Sequence, residues 1–126
     1  MKENTIMPFD IFWAKLDENN ERSLQGGTRP VVILSCLAAC THSPIINIIP
    51  LSRNVEVKGN LKRFPQHMLI PFGREGGSTA LAEQLTCIHK NQLLGPKAGS
   101  ISDPELQKKL ANVVLKQLGL YDVITN

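Results

Sequence analysis

No run of apolar residues in this chain approaches the roughly 20 that a membrane-spanning helix needs. The opening Met1-Lys2-Glu3-Asn4-Thr5 has no apolar core of the kind a secretory leader carries, so the expectation is a cytoplasmic protein with no membrane partner. Cysteine is scarce. Cys36, Cys40 and Cys87 are an odd set of three, and a chain of 126 residues buries enough surface to fold without disulfides, so reduced thiols are expected. They make a poor metal set as well. Cys36 and Cys40 stand at a loose C-x3-C spacing before His42, and Cys87 and His89 flank a single residue, so neither metal nor cofactor is expected. A strong charge of one sign is also missing. A net charge of +3 and a pI near 8.9 are only mildly basic, which is no signature of nucleic-acid binding by itself.

The rest of the composition is that of an ordinary soluble domain, with 42% hydrophobic and 20% charged residues. There is no internal repeat, low-complexity tract or long linker, so residues 1–126 read as one domain with its core at about 9–120. Charge is uneven along it. Arg53, Lys58, Lys62 and Arg63 fall in one short stretch with a single acid, Glu56, an arrangement suited to phosphates or simply to a solvated loop.

Two thirds of the chain reads as short strands separated by turn signals. Asp10 to Leu16 alternates imperfectly, with Phe12 and Trp13 on adjacent positions and so on opposite faces. One of the two belongs to the core; the other suits packing, a dimer face or stacking on a base. Asp17 to Thr28 is polar, ends in Gly26-Gly27 and reads as a loop. Pro30 to Leu34 and Ile45 to Leu51 are β-branched runs suited to buried strands. Arg53 to Lys62 is polar with a turn at Gly59-Asn60. Gln66 to Ile70 is a further strand, Ser78 to Ile88 is strand for most of its length, and Gly95 to Ser100 adds a short last one.

The C-terminal fifth has the marks of a helix. Ser102 and Glu105 form an S-x-x-E capping box, flanked by Ile101 and Leu106 as a hydrophobic staple. Leu106, Leu110, Val113, Val114 and Leu118 repeat at helical spacing, and Gly119 is a natural stop. Short strands closed by one helix predict a mainly β fold, a small, partly closed β-barrel with a packed C-terminal helix. Physics alone does not extend that to an activity.

Six segments, in order, resemble the MazF/PemK toxin family. They are Asp10-Ile11-Phe12-Trp13-Ala14-Lys15-Leu16, Gln25-Gly26-Gly27-Thr28-Arg29-Pro30-Val31-Val32-Ile33, Ile48-Ile49-Pro50-Leu51-Ser52, Phe64-Pro65-Gln66-His67, Ser78-Thr79-Ala80-Leu81-Ala82-Glu83-Gln84 and Gly99-Ser100-Ile101-Ser102-Asp103. The likeness runs from about Asp10 to about Leu120. It implies an SH3-like barrel with appended helices, a homodimer, and metal-independent, sequence-selective cleavage of single-stranded RNA by a toxin that a cognate antitoxin protein restrains. The alternatives are a catalytically degenerate SH3-like binder of an antitoxin-like peptide, or a toxin that poisons gyrase.

The resemblance also assigns residues. Arg29 matches the family's catalytic arginine; a permanent cation suits a phosphate clamp and transition-state stabiliser better than a base. Ser52 stands where most relatives carry threonine and keeps the hydroxyl. Glu83 occupies the family's acidic position, as general base, partner of Arg29 or reader of a base edge. Gly27, Thr28, Arg53, Lys58, His67 and Gln84 are weaker candidates for RNA contact, His67 being also an acid–base candidate or a packed strand residue. The chain departs from the family at Thr86, where an arginine is expected, and at His89, where an aspartate is expected. The first change removes a residue that typically helps hold RNA.

Overall fold

A computed structural model describes residues 5–17, 26–52, 67–73 and 77–126. The candidates Arg53 and Lys58, the rest of the basic stretch, the predicted turn at Gly59-Asn60 and the predicted strand start at Gln66 lie outside the described residues.

The chain is mainly β, as expected, with helices at its C-terminus. Strands β1 (Asp10–Leu16), β2 (Gly27–Ile33), β3 (Ile45–Ser52), β4 (His67–Ile70), β5 (Ser78–Leu81), β6 (Thr86–His89) and β7 (Leu93–Ser100) form one antiparallel sheet. Its order is β4-β5-β3-β2-β1-β7, with β6 also paired to β3. A helix of six residues, α1 (Leu37–His42), fills the connection between β2 and β3. Helices α2 (Pro104–Gln117) and α3 (Tyr121–Thr125) close the chain.

Strand β3 organises the sheet. Its first half pairs with β6, from Ile45 opposite His89 to Ile48 opposite Thr86. Its last two residues pair with β5, Leu51 opposite Ala80 and Ser52 opposite Thr79. The single strand predicted over Ser78 to Ile88 is therefore broken by a 3-10 turn, Ala82–Gln84. Three steps on β3, from Ile48 to Leu51, are answered by six on the facing segment, from Thr86 back to Ala80. Pro50 lies opposite the break. It has no N–H to give a ladder, so pairing is interrupted there at least cost.

Apolar residues on the two faces of the sheet build two cores. Ile11, Val32, Ile49, Leu51, Met68, Ile70 and Ala80 join Ile101 and Leu110 in one. Phe12, Ala14, Val31, Ile33, Ile46, Ile48 and Ile88 join Cys40 of α1 in the other. Alternation along each strand sorts the residues. Phe12 is 1% exposed and its neighbour Trp13 43%, which settles which ring of the pair is core. Each fully buried isoleucine contributes about 1.5–3 kcal/mol relative to an exposed one.

Helix α2 lays Leu106, Leu110, Val113 and Val114 on the first core; Leu118, placed on that stripe by spacing, is half exposed beyond the last helical turn. The predicted stop at Gly119 holds. Its φ is +74°, its N–H donates to Lys116 O at 3.1 Å and Leu120 N–H to Leu115 O at 2.8 Å, the paired bonds of a Schellman end. The predicted start is corrected. Asp103, not Ser102, caps the helix, its carboxylate accepting Glu105 N–H at 3.0 Å. Pro104 then takes the first helical position, where its fixed φ is already helical and its missing N–H would have no partner.

Candidate active site

Arg29 sits near the start of β2, where Gly27 takes a φ of +72° that a side chain would oppose. The turn so formed brings the Gly26 carbonyl back to the arginine, and Arg29 Nε donates to it at 3.2 Å. Half-buried, the guanidinium is steered from its base and keeps its terminal nitrogens for other acceptors.

Strand register brings the hydroxyl candidate to the same place. β2 and β3 pair with Val31 opposite Pro50, Val32 opposite Ile49 and Ile33 opposite Ile48. Continued by two residues, that register sets Arg29 opposite Ser52, and the pleat turns both to the face that holds Val31 and Ile48. Ser52 is buried at 6% exposure and is matched in turn to Thr79 of β5, itself fully buried. A row of polar residues thus crosses the rim of an otherwise apolar face.

The acid of the expected set is delivered by the break in the long strand. The 3-10 turn lifts Glu83 out of the ladder, and its carboxylate lies 2.9 Å from His67 Nε2. The His67 side chain is 9% exposed and that of Glu83 35%, so the carboxylate is the reachable member of the pair. His67 pairs with Leu81 in the β4–β5 ladder, one pleat repeat from Leu69 opposite Thr79. It therefore belongs to the row beside that of Ser52. Gln84 is half-buried at the end of the same turn. Thr86, the departure from the family pattern, is exposed opposite Ile48 on this same face.

On the other face of the rim lies a groove of about 470 Å³ lined by Trp13, Thr28, Arg29, Pro30, Leu51, Phe72, Gly73 and Ser78. Phe72 lies in no motif, and Leu51 and Ser78 fall in segments of the resemblance that gave them no role, so only their assembly around exposed Trp13 marks them.

Among the described residues no three His, Cys, Asp or Glu side chains gather as a metal site. Cys36 and Cys87 are exposed and Cys40 is buried. Burial pushes the Cys40 thiol up, with Lys90 pulling it partly back, and its Sγ donates to Ser35 O at 3.6 Å. Such a neutral, occupied thiol is structural. Among the described residues, no helix is long and apolar enough to cross a membrane.

Fold and site together define a small, mainly β protein that presents a cation and a hydroxyl at one rim of its sheet. The chain belongs to the PemK-like, MazF-like toxins of type II toxin-antitoxin systems, whose family model matches residues 7–117. Solved structures with the same fold include MazF from Deinococcus radiodurans, with a TM-score of 0.74 at 14% identity over 93% of this chain and 99% of that one. Another is the Mycobacterium tuberculosis toxin MazF-mt6, with a TM-score of 0.68 at 19% identity over 88% and 97%. A third is a mycobacterial endoribonuclease in complex with its cognate antitoxin, with a TM-score of 0.67 at 17% identity over 94% and 97%. A sequence comparison with curated proteins gives no match.

Proposed function

We infer that this toxin is a sequence-selective endoribonuclease that cuts single-stranded RNA without a metal ion, as a homodimer held in check by a cognate antitoxin. The observation that carries the reading is the β2–β3 register, which ends at Val31 opposite Pro50 and, continued by two residues, turns Arg29 and Ser52 to one face. Family membership and the fold shared with proteins described as endoribonucleases support it.

Cleavage starts when a base removes the 2′-hydroxyl proton and O2′ attacks the adjacent phosphorus. The P–O5′ bond then breaks and O5′ takes up a proton, leaving a cyclic phosphate and a free 5′-hydroxyl. Glu83 is the base in this reading, with its carboxylate oriented by His67. Arg29 holds the non-bridging oxygens and meets the charge that grows on them in the transition state. The Ser52 hydroxyl bonds a phosphate oxygen or the attacking group. Because an arginine is always charged, this stabilisation needs no ion that a chelator removes.

The test is a long, mixed-sequence single-stranded RNA incubated with the protein in excess EDTA, with the cut ends mapped and Arg29→Ala run beside it. Discrete cuts with cyclic-phosphate ends, lost in the variant, are expected. Cuts that persist in Arg29→Ala sink the site; no cuts from a folded protein favour the non-cleaving binder, with Thr86 in the arginine position as its first cause. Addition of the antitoxin is expected to protect the RNA, and sedimentation to give twice the chain mass.

A further inference from the structure

Where the family pattern places an aspartate, this chain places His89, and the imidazole takes the acceptor role that a carboxylate would fill at the corner between β6 and β7. A second 3-10 turn, Lys90–Gln92, makes that corner. His89 is its cap, with extended backbone and with Nδ1 accepting the Asn91 N–H at 3.2 Å. Its own N–H donates to Gln92 Oε1 at 2.9 Å, so cap and turn hold each other reciprocally, as in a capping box. The other end of the Gln92 amide leaves the corner. Nε2 donates to Lys15 O of β1 at 2.9 Å, across 77 positions of sequence. β7 pairs with β1 only as far as Leu93 opposite Ala14, so the side chain extends the hold by one residue. Lys15 is paired on its other side with Thr28, and Leu16 with Gly27, in the turn that aims Arg29. The corner is also tied to the entry of β3, Lys90 N–H donating to Pro44 O at 2.9 Å.

An aspartate cap accepts at any pH above the ordinary carboxylate range, about 4. An imidazole accepts at Nδ1 only with its one proton on Nε2, and histidine is the side chain that gains a second proton between about pH 5 and 8. Once protonated, Nδ1 becomes a donor facing the Asn91 N–H, and the cap is lost. The surroundings offer the cationic ring no counter-charge. Its cross-strand partner is Ile45, Cys87 shares its face of β6, and Lys90 follows it in the turn. Lys15 and, two residues on, Asp17 stand at the end of β1, and His42 ends α1. Among the described residues, no carboxylate pairs with the ring. We propose that His89 is an acid-released latch. Neutral, it holds the corner and, through Gln92, the end of β1 beside Arg29; protonated, it lets that tie go. The hold is present above the pH at which the ring takes its second proton and is lost as pH falls through it. The latch does not depend on the rim's being a nuclease site.

The test is NMR of the isotope-labelled protein between about pH 7.5 and about pH 5, reading the His89 ring, the Asn91 N–H and the Gln92 side-chain amide separately. At the upper pH the ring is expected to carry its one proton on Nε2. As it titrates, the Asn91 and Gln92 signals should move with it. His89→Asp and His89→Asn supply a cap acceptor at either pH, and in both variants the two signals should stay where they are. By urea unfolding, the parent should lose about fivefold in folding constant relative to His89→Asn over the same range, the scale of one helix cap. His42→Asn should leave every response as in the parent. A lone ring proton found on Nδ1, or a ring that titrates while the Asn91 signal stays still, shows that His89 is no cap. A Gln92 signal that stays still while Asn91 moves shows a cap without a latch. Either result overturns the proposal. So does a response of equal size in His89→Asp, or its loss in His42→Asn, which would assign it to another group.

Discussion

Ile46 and Ile48 of β3 and Ser52 at its end are about equally buried and differ in what they are buried among. Ile46 and Ile48 lie in an unbroken apolar layer with Ile33, Val31 and Ile88. Six residues on from Ile46, Ser52 is 6% exposed beside fully buried Thr79, with Arg29 across the rim. Pro50 and the 3-10 turn opposite it divide the strand between these regimes. Beyond the break the hydroxyls lie at the rim of the sheet, away from the closed layer where an unpaired polar group would cost most. One strand thereby supplies both the core that fixes the backbone and the end to which the proposed function assigns the substrate.

The largest effect separating the two ends is expected at Ile48, which is fully buried. Ile48→Ala should cost about 2–5 kcal/mol by the lost burial and the cavity left behind, read as a lower denaturant midpoint. RNA cleavage per folded molecule, assayed well below the transition, should stay near that of the parent. A loss of cleavage matching or exceeding the loss of stability would erase the contrast. Arg29→Ala should behave the other way. Cleavage falls about 10²–10³-fold, as when one transition-state donor is removed, while the melting temperature moves little. The bond from the Arg29 side chain to Gly26 O is of the kind that contributes about 1 kcal/mol or less at a partly exposed site. Unfolding on the scale of Ile48→Ala would make Arg29 a structural residue.

What was legible in the sequence follows the same division. Buried strands announce themselves by β-branched runs, and Val31-Val32-Ile33 and Ile45 to Leu51 lie where those runs put them. The 3-10 break was hidden because it depends on Pro50, about thirty positions upstream in a different strand. The pairing of His67 with Glu83, 16 residues apart, needed that break to exist first. Arg29 and Ser52 were named through family resemblance; the β2–β3 register, continued two residues beyond Val31 and Pro50, turns them to one face. The groove at Trp13 combines residues from four strands and a turn, and local pattern marks only single members of it, such as the ring left outside the core.

The helix start was misplaced by one residue because two rules competed, a capping box at Ser102 and a proline at the first helical position. The cap can be tested by paired substitution. Asp103→Ala should cost about 1 kcal/mol, and Ser102→Ala, exposed and outside the cap, no more than about 0.5 kcal/mol. The reverse order would restore the capping box. Cleavage should be unchanged in both, since α2 packs on the core of the opposite face.

The smallest effect bears most on the comparison, because it asks whether the site end of the sheet is complete. β6 pairs with β3 alone among the described strands, and Thr86 stands exposed on it, four positions along β3 from Ser52 and on the same face. Four strand residues span about 13 Å, within reach of a nucleic-acid strand whose phosphate lies at Arg29. The family pattern puts a cation at this point; here a short hydroxyl side chain leaves it uncharged. Thr86→Arg adds one phosphate contact and should tighten binding of an uncleavable single-stranded RNA several-fold at low salt. It should also steepen the slope of log affinity against log salt by about 0.7, the value for one added contact to a single strand. Stability should hardly change, because an exposed edge position asks nothing of the core. A steeper slope would mean that this toxin holds its RNA with one cation fewer than its family pattern provides. An unchanged slope would mean that its RNA does not pass over β6, and that the site ends at the rim formed by Arg29, Ser52 and Glu83.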